Sequence, residues 1–348
     1  MSVTADDRIA TIGGARFHAL WLRDNCPCEE CRHESGQRLL DTRSLPDDLA
    51  IAAVDGCAVS FSDGHVSRFD ESWLLANAGE APAHARRLWG AELQDALPVA
   101  RHDDVAAGGT ALRDWLAAVD ELGFAILTGA PTDPGTVTRV AELFGFVRET
   151  NYGRLFDVKT VVNPTNLAYT GLGLGAHTDN PYREPTPTLQ LLHCLASSAA
   201  GGENTLVDAF RVVQDLPRSD LELLAATPIR FRYADAATDL ESETPVISLD
   251  ARGDVEAVHY NTRSAQAFRM PEDVVGRYYE AYQRFGRMLE GAEYRIQFKL
   301  APGDLFIVDN LRVLHGRTGY AASGGERHLQ GCYADRDGLR SRLAVLSR

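Results

Sequence analysis

The chain has 348 residues, enough for one large domain or for one of about 250 residues with a smaller companion. Hydrophobic residues make up 45% of it, so a core of ordinary size is expected and disorder is excluded as its main state. With 35 basic and 49 acidic residues the formal charge is −14, which argues against nucleic acid or an anionic membrane surface as partner and leaves room for a small cationic ligand.

The amino terminus, Met1-Ser2-Val3-Thr4-Ala5-Asp6-Asp7-Arg8, lacks the basic and apolar regions of a secretory signal, and no apolar run reaches membrane-spanning length. A cytoplasmic location is expected. Six cysteines are too few for a disulfide framework at this length, and three crowd into Cys26-Pro27-Cys28-Glu29-Glu30-Cys31. Thiolates at that spacing in a reducing compartment point to structural Zn(II), which takes four ligands in a tetrahedron. His33 would close a very small ring, whereas His65, at the turn Ser62-Asp63-Gly64-His65-Val66, can be brought in by the fold. The expected ligands are Cys26, Cys28, Cys31 and His65; reduced cysteines without metal are the alternative. Ala52-Ala53-Val54 and Cys57-Ala58-Val59-Ser60-Phe61, broken by Asp55-Gly56 and Asp63-Gly64, read as short hairpins. Residues 1–90 are therefore expected to form a small zinc-binding β domain and 91–348 the main domain.

The main domain opens with a helix whose apolar residues Leu112, Trp115, Leu116, Val119 and Leu122 recur at helical spacing, released by Gly123 into the strand Phe124-Ala125-Ile126-Leu127. A second helix carries Val137, Val140, Ala141 and Phe144. Ser219-Asp220-Leu221-Glu222 has the pattern of a capping box, and the helix beginning near Pro271 presents Val275, Tyr278, Tyr282 and Phe285. Most of the rest is strand-like: Leu189-Gln190-Leu191-Leu192, then Tyr294 alternating with Ile296, Phe298 and Leu300, then Leu305-Phe306-Ile307-Val308 after the turn Pro302-Gly303-Asp304. Short strands without βαβ alternation predict a β-rich α+β domain, a jelly-roll core with covering helices.

Within it, Gly171-Leu172-Gly173-Leu174-Gly175-Ala176-His177-Thr178-Asp179-Asn180 ends in two metal-ligand types spaced by one residue, which an extended strand would aim to one face. His315, in Leu314-His315-Gly316-Arg317, is the candidate third ligand from another strand. Two imidazoles and one carboxylate on one face of an octahedron suit a non-haem Fe(II) oxygenase. Arg327, twelve residues on, is placed to clamp a carboxylate, as the distal end of a chelating 2-oxoglutarate would require.

These motifs, with Trp21-Leu22-Arg23-Asp24-Asn25-Cys26-Pro27-Cys28, Asp63-Gly64-His65-Val66-Ser67, Ala168-Tyr169-Thr170, Leu189-Gln190-Leu191-Leu192-His193-Cys194 and Arg327-His328-Leu329, occur in an order that resembles the γ-butyrobetaine dioxygenase family across almost the whole chain. The resemblance implies a double-stranded β-helix, a homodimer, and Fe(II), 2-oxoglutarate and O2 acting together to hydroxylate a trimethylammonium substrate. It implies iron ligands His177, Asp179 and His315, an aromatic cage of Tyr152, Phe156, Tyr169 and Tyr333, and Asn166 and Asn261 near the substrate's anionic end. Thr205 resembles a position that assists 2-oxoglutarate. A quaternary ammonium has no N–H to donate, so aromatic faces are the physical means of holding it. Phe156 stands where animal enzymes of the family carry tryptophan, and Asn180 where they carry tyrosine. Trimethyllysine or a trimethylaminoethylphosphonate remain alternative substrates, and a non-catalytic metal-binding barrel or a zinc hydrolase are the competing classes.

Overall fold

The computed structural model describes residues 6–79, 86–159, 170–320 and 325–348. The chain divides into two compact units, Met1–His84 and Ala85–Arg348. The second therefore begins six residues before the boundary expected after residue 90. The reason is local: Arg86 Nη1 donates to the Val255 carbonyl at 2.8 Å, and the buried indole Nε1 of Trp89 donates to the Leu122 carbonyl at 2.7 Å.

In the first unit the hairpin Ile9–Ile12 with Ala15–His18 leads into a short helix, Ala19–Asp24. A three-stranded antiparallel sheet follows, Ile51–Asp55, Ala58–Phe61 and Val66–Arg68. Its small core gathers Phe17, Leu22, Leu49, Val59, Phe61 and Leu74. At about 1.5–3 kcal/mol per fully buried large side chain, this is little for a body of that size, which makes a metal clip useful.

In the second unit, two sheets face each other among the described residues. The smaller runs Leu174–His177, Val313–Arg317, Asn204–Asp208 and Arg295–Phe298; the larger is centred on Phe124–Thr128, Leu305–Asp309, Leu189–Ser197 and Arg327–Ala334. Leu206, Ile296 and Val313 from the first meet Leu192, Phe306, Val308 and Leu329 from the second in one apolar layer. This is the jelly roll expected from the strand pattern. Helices Gly109–Leu122, Thr136–Ala141 and Arg336–Leu346 cover the outer face of the larger sheet, and Ala209–Asp215, Arg218–Ala226 and Glu272–Leu289 cover the smaller. No helix among the described residues is long and apolar enough to cross a membrane.

The expected helix periods hold where one face is buried. Leu112, Trp115, Leu116, Val119 and Leu122 all point inward, and Gly123 ends that helix with φ 82°, a left-handed backbone that glycine adopts without strain. Three expectations need correction. Ser219 is not a cap: the helix starts at Arg218 with Pro217, whose fixed φ suits the position, as N-cap and no side-chain bond. Val275 is exposed, because the Glu272–Leu289 helix turns Tyr278, Ala281, Phe285 and Leu289 to the core instead. The strand predicted from Tyr294 to Leu300 is shorter, Arg295–Phe298, with Tyr294 closing a 3₁₀ turn before it.

Candidate active site

Strands Leu174–His177 and Val313–Arg317 pair antiparallel with His177 directly opposite His315, so their imidazoles share one face, ring centres 4.4 Å apart. The Nδ1 of His177 lies 3.0 Å from the Gly175 carbonyl, which accepts its proton and leaves Nε2 with a free lone pair. That Nε2 is 3.2 Å from Asp179 Oδ1. Burial pushes the pKa of His315 down to about 3, keeping it neutral as a metal ligand must be. The ligand atoms of His177, Asp179 and His315 all lie within 4.8 Å of one another, and two neutral imidazoles with one carboxylate fit a facial iron(II) site. Gly316, beside His315, admits no larger residue: a Cβ there would stand 2.5 Å from the Leu174 carbonyl oxygen.

Asp179 is not in the strand, contrary to the expectation from i, i+2 geometry; pairing stops at His177 and a bend follows. Side chains replace the ladder. Asn310 Oδ1 accepts the Asp179 N–H at 2.8 Å while its Nδ2 donates to the Asp179 carbonyl at 2.9 Å. On the carboxylate, Oδ2 accepts from Gln190 Nε2 at 2.5 Å and from the Tyr333 hydroxyl at 2.9 Å. Burial opposes ionisation of Asp179, but the adjoining imidazoles of His177 and His315 and the hydrogen bond from the Tyr333 hydroxyl outweigh burial and hold its carboxyl well below the usual range.

The triad opens on a cavity of about 430 Å³ with two chemically distinct ends. At one end stands Arg327, 8% exposed, its Nη2 donating to Asn204 Oδ1 at 3.1 Å and its Nε to the Gly202 carbonyl at 3.2 Å. Its Nη1 is buried without a hydrogen-bond partner and no carboxylate among the described residues pairs with it. A buried guanidinium with an unused donor is a ready receptor for a ligand carboxylate. Thr205 does not line this cavity. Side chains alternate along a strand, so Asn204 and Leu206, opposite Arg317 and His315, face inward, while Thr205 turns outward into a separate pocket with Glu290 and Arg295. On this strand it is Asn204, not Thr205, that touches Arg327.

At the other end are aromatic rings. Phe156 and Tyr333 stack at 5.1 Å, and Tyr152 tilts over Phe156 at 6.2 Å. Asn166 and Tyr169 lie outside the described residues. Asn261 lines the cavity, yet its carboxamide is spent on backbone: Nδ2 donates to the Thr178 carbonyl at 2.9 Å and Oδ1 accepts from the N–H groups of Arg263 and Ser264 at 3.1 and 3.3 Å. It shapes the wall rather than offering free atoms to a ligand.

In the first unit, His65 Nε2 stands 3.2, 3.7 and 3.8 Å from the sulfurs of Cys26, Cys28 and Cys31. Tetrahedral zinc, with bonds of about 2.3 Å to sulfur and about 2.0 Å to nitrogen, would separate S and N by roughly 3.5 Å, so the four atoms fit it. Burial pushes the Cys31 thiol up to about 11 despite Arg23 beside it, so a divalent cation is what would drive deprotonation here.

Comparison with known proteins gives a family match for each of the two units. The taurine catabolism dioxygenase TauD, TfdA family matches residues 82–333, and the gamma-butyrobetaine hydroxylase-like N-terminal family matches residues 2–75. This chain belongs to the gamma-butyrobetaine dioxygenase-like branch of the TauD/TfdA dioxygenases. Gamma-butyrobetaine dioxygenase of Pseudomonas sp. (strain AK-1) is 38% identical over 366 residues, covering 100% of this chain and 94% of that protein. The Homo sapiens enzyme of that name is 33% identical over 95% and 91% of the two chains, and the mitochondrial trimethyllysine dioxygenase of Bos taurus 31% over 95% and 83%. Among solved structures, the non-heme iron oxygenase OrfP in complex with Fe and alpha-ketoglutaric acid superposes with a TM-score of 0.53 at 17% identity, over 72% of this chain and 87% of that one, a likeness of fold.

Reading this dioxygenase from sequence leaves out residues of the cavity, among them two tyrosines and two carboxamides. Tyr182 and Tyr233 join the aromatic end, stacked at 5.3 Å, with Tyr182 Oη 3.1 Å from Tyr152 Oη and donating to Asn180 Oδ1 at 2.6 Å. Gln190 and Asn204 hold the two charged groups. The one signal available was the burial implied for polar residues inside apolar strands, Gln190 among Leu189, Leu191 and Leu192 above all. Because Tyr333 both stacks on Phe156 and donates to Asp179, Tyr333→Phe separates its roles. The dioxygenase variant is expected to need about tenfold more Fe(II) for half-maximal turnover. KM for the organic substrate is expected within about twofold of wild type, since the ring stays; an unchanged iron requirement would show the hydroxyl to be idle.

Proposed function

We propose that the chain is an Fe(II)- and 2-oxoglutarate-dependent hydroxylase of a small trimethylammonium compound, γ-butyrobetaine first among the candidates. One observation carries this reading: a single cavity joins the His177–Asp179–His315 triad to an unpaired buried arginine at one end and to clustered aromatic rings at the other. Iron(II), with O2 and 2-oxoglutarate, supplies the oxidant for a C–H bond, releasing succinate and CO2. The chain's own part is positional. Arg327 and Asn204 would fix the distal carboxylate of the co-substrate, Gln190 and Tyr333 hold Asp179 Oδ2 and leave Oδ1 available to the iron the triad would hold, and Tyr152, Phe156, Tyr182, Tyr233 and Tyr333 offer ring faces to a cation.

Ring faces stabilise a methylated ammonium by about 0.5–2 kcal/mol each but cannot replace the hydrogen bonds that a primary ammonium loses on leaving water. A panel of amines scored by succinate release tests the proposal. γ-Butyrobetaine is expected to accelerate release, and its demethylated primary amine to do so at least about tenfold less well in kcat/KM. Equal turnover of the primary amine would remove the cage from the proposal. Trimethyllysine and 2-trimethylaminoethylphosphonate in the same panel decide among close substrates.

Zinc in the first unit is part of the proposal. Protein purified without added metal is expected to carry one zinc per chain by elemental analysis, with Cys31→Ser losing it and lowering stability of that unit. Well-folded protein free of zinc would refute the site. The family resemblance also underlies a homodimer, and the net charge of −14 argues against a nucleic-acid or anionic-membrane partner; the cytoplasm is the proposed location, and light scattering of the purified protein tests the dimer.

A further inference from the structure

The two stretches that supply the metal ligands of the first unit are joined by a residue that is not itself a ligand. Arg23 lies in the last turn of the helix Ala19–Asp24, just ahead of Cys26, and is only 8% exposed. Its Nη1 donates to the sulfur of Cys31 at 3.2 Å and its Nε donates to Asp63 Oδ2 at 2.9 Å. Asp63 stands in the turn before His65, and its Oδ1 accepts the backbone N–H of His65 at 2.9 Å. A continuous path of hydrogen bonds therefore runs from one sulfur ligand, through a guanidinium and a carboxylate, to the backbone of the imidazole ligand.

The rest of each stretch looks elsewhere. The N–H groups of Cys31 and Arg32 both donate to the Cys28 carbonyl, whereas that of Ser62 donates to the Ala50 carbonyl. Among the described residues, and apart from the contacts among the four ligand atoms themselves, the Arg23–Asp63 pair is the only hydrogen bond between residues 19–31 and residues 62–66. Charge points the same way. Three thiolates and a neutral imidazole around a divalent ion would leave one negative charge, and with Cys26 and Cys31 buried, solvent does little to screen it. Arg23 is the buried cation set against it. A guanidinium suits this place because its rigid fork offers N–H groups in fixed directions, one for sulfur and one for a carboxylate, where an ammonium is a point charge on a flexible stem.

We propose that Arg23 is the positioning residue of the zinc centre, holding the Cys31 sulfur by its Nη1 and, through Asp63, fixing the turn that brings His65 to the three cysteines. The assignment rests on the reading of this cluster as a zinc site given above. Partners of this kind orient a ligand and draw electron density from it, and their loss typically costs about 10–100-fold in metal affinity.

The test uses the full chain with Co(II) in place of zinc. Charge transfer from thiolate to Co(II) reports this centre alone, because the His177–Asp179–His315 triad has no sulfur. Wild type, Arg23→Met, Arg23→Lys and Asp63→Asn are compared for the position of that absorption band and for the rate at which excess EDTA abolishes it. Arg23→Met is expected to lose cobalt at least about tenfold faster than wild type. Its band is expected to move to longer wavelength, since a sulfur freed of the guanidinium N–H gives up electron density more readily. Asp63→Asn keeps an acceptor for the His65 N–H and is expected to accelerate the loss less than Arg23→Met does. An ion pair that only supports the fold would lower Tm and leave the band in place, so an unmoved band in Arg23→Met, or a loss rate within about twofold of wild type, overturns the proposal. If Arg23→Met does not fold, Arg23→Lys decides by the same two criteria. Wild type without any thiolate-to-cobalt band would overturn the zinc reading and this assignment with it; a wild-type band that the variants reproduce would overturn this assignment alone.

Discussion

Replacing His315 by alanine is expected to lower Fe(II)-dependent succinate release at saturating iron by at least about a thousandfold while the protein stays folded, and His177→Ala to do the same. Each removes one of three protein ligands, and metal catalysis is worth several kcal/mol of barrier. The imidazoles pair across the strands Leu174–His177 and Val313–Arg317, but the ladder between those strands is backbone and survives the truncation. His315 Nδ1 has no hydrogen-bond partner, so no network is broken with it. The loss of stability should be the ordinary about 1 kcal/mol of a point substitution, visible as a small shift in Tm with unchanged circular dichroism. Substantial activity in either variant with iron in excess would contradict the triad.

The triad was legible because its spacing is chemically restrictive and because the strands that carry it are short and apolar. What sequence could not settle was which of two adjacent residues faces inward where both faces of a strand are covered. Asn204–Asp208 is buried at all five positions, so it shows none of the polar alternation that would have distinguished Asn204 from Thr205. The position of Asp179 beyond the strand end was hidden for another reason: what holds it is Asn310, 131 residues away, and a non-local side-chain clamp leaves no local pattern. Tyr182 and Tyr233 reach the cavity from a turn and from the hairpin Pro228–Ala234, Asp239–Pro245, whose placement depends on tertiary packing. Asn261 lines the cavity as expected, but its bonds to backbone were hidden, since residue type alone does not show whether a carboxamide is free or already bonded. The helices were read well where a buried stripe set the period and badly at their ends, where proline rather than serine began Arg218–Ala226.

Arg312→Met is expected to destabilise the second unit by about 3–5 kcal/mol, the cost of leaving a buried charge unpaired. The arginine lies one residue before the strand that carries His315 and is 1% exposed, against a fully buried Asp208. Its Nε and Nη2 reach Asp208 Oδ1 and Oδ2 at 3.1 and 2.8 Å, while Nη1 and Nη2 also donate to the carbonyls of Glu121 and Arg87 at 2.8 and 2.6 Å. Asp208 in turn accepts the N–H groups of Trp89 and Phe210 at 3.2 and 3.1 Å. One ion pair therefore joins the entry of the unit, the end of the helix Gly109–Leu122 and two strands of the iron-side sheet. Methionine keeps much of the volume but leaves a carboxylate without its cation and the Arg87 carbonyl without this donor, while the Glu121 carbonyl keeps the N–H of Arg87. The double variant Asp208→Leu with Arg312→Met removes both charges and is expected to lose less stability than Arg312→Met alone. Denaturant unfolding of the two variants and wild type measures this. Because the pair fixes the start of the His315 strand, Arg312→Met is also expected to raise the iron requirement of whatever fraction stays folded. A loss below about 1 kcal/mol for the single variant, or a double variant less stable than the single one, would show that packing around Phe210 and Trp89 holds the strand and that the ion pair does not.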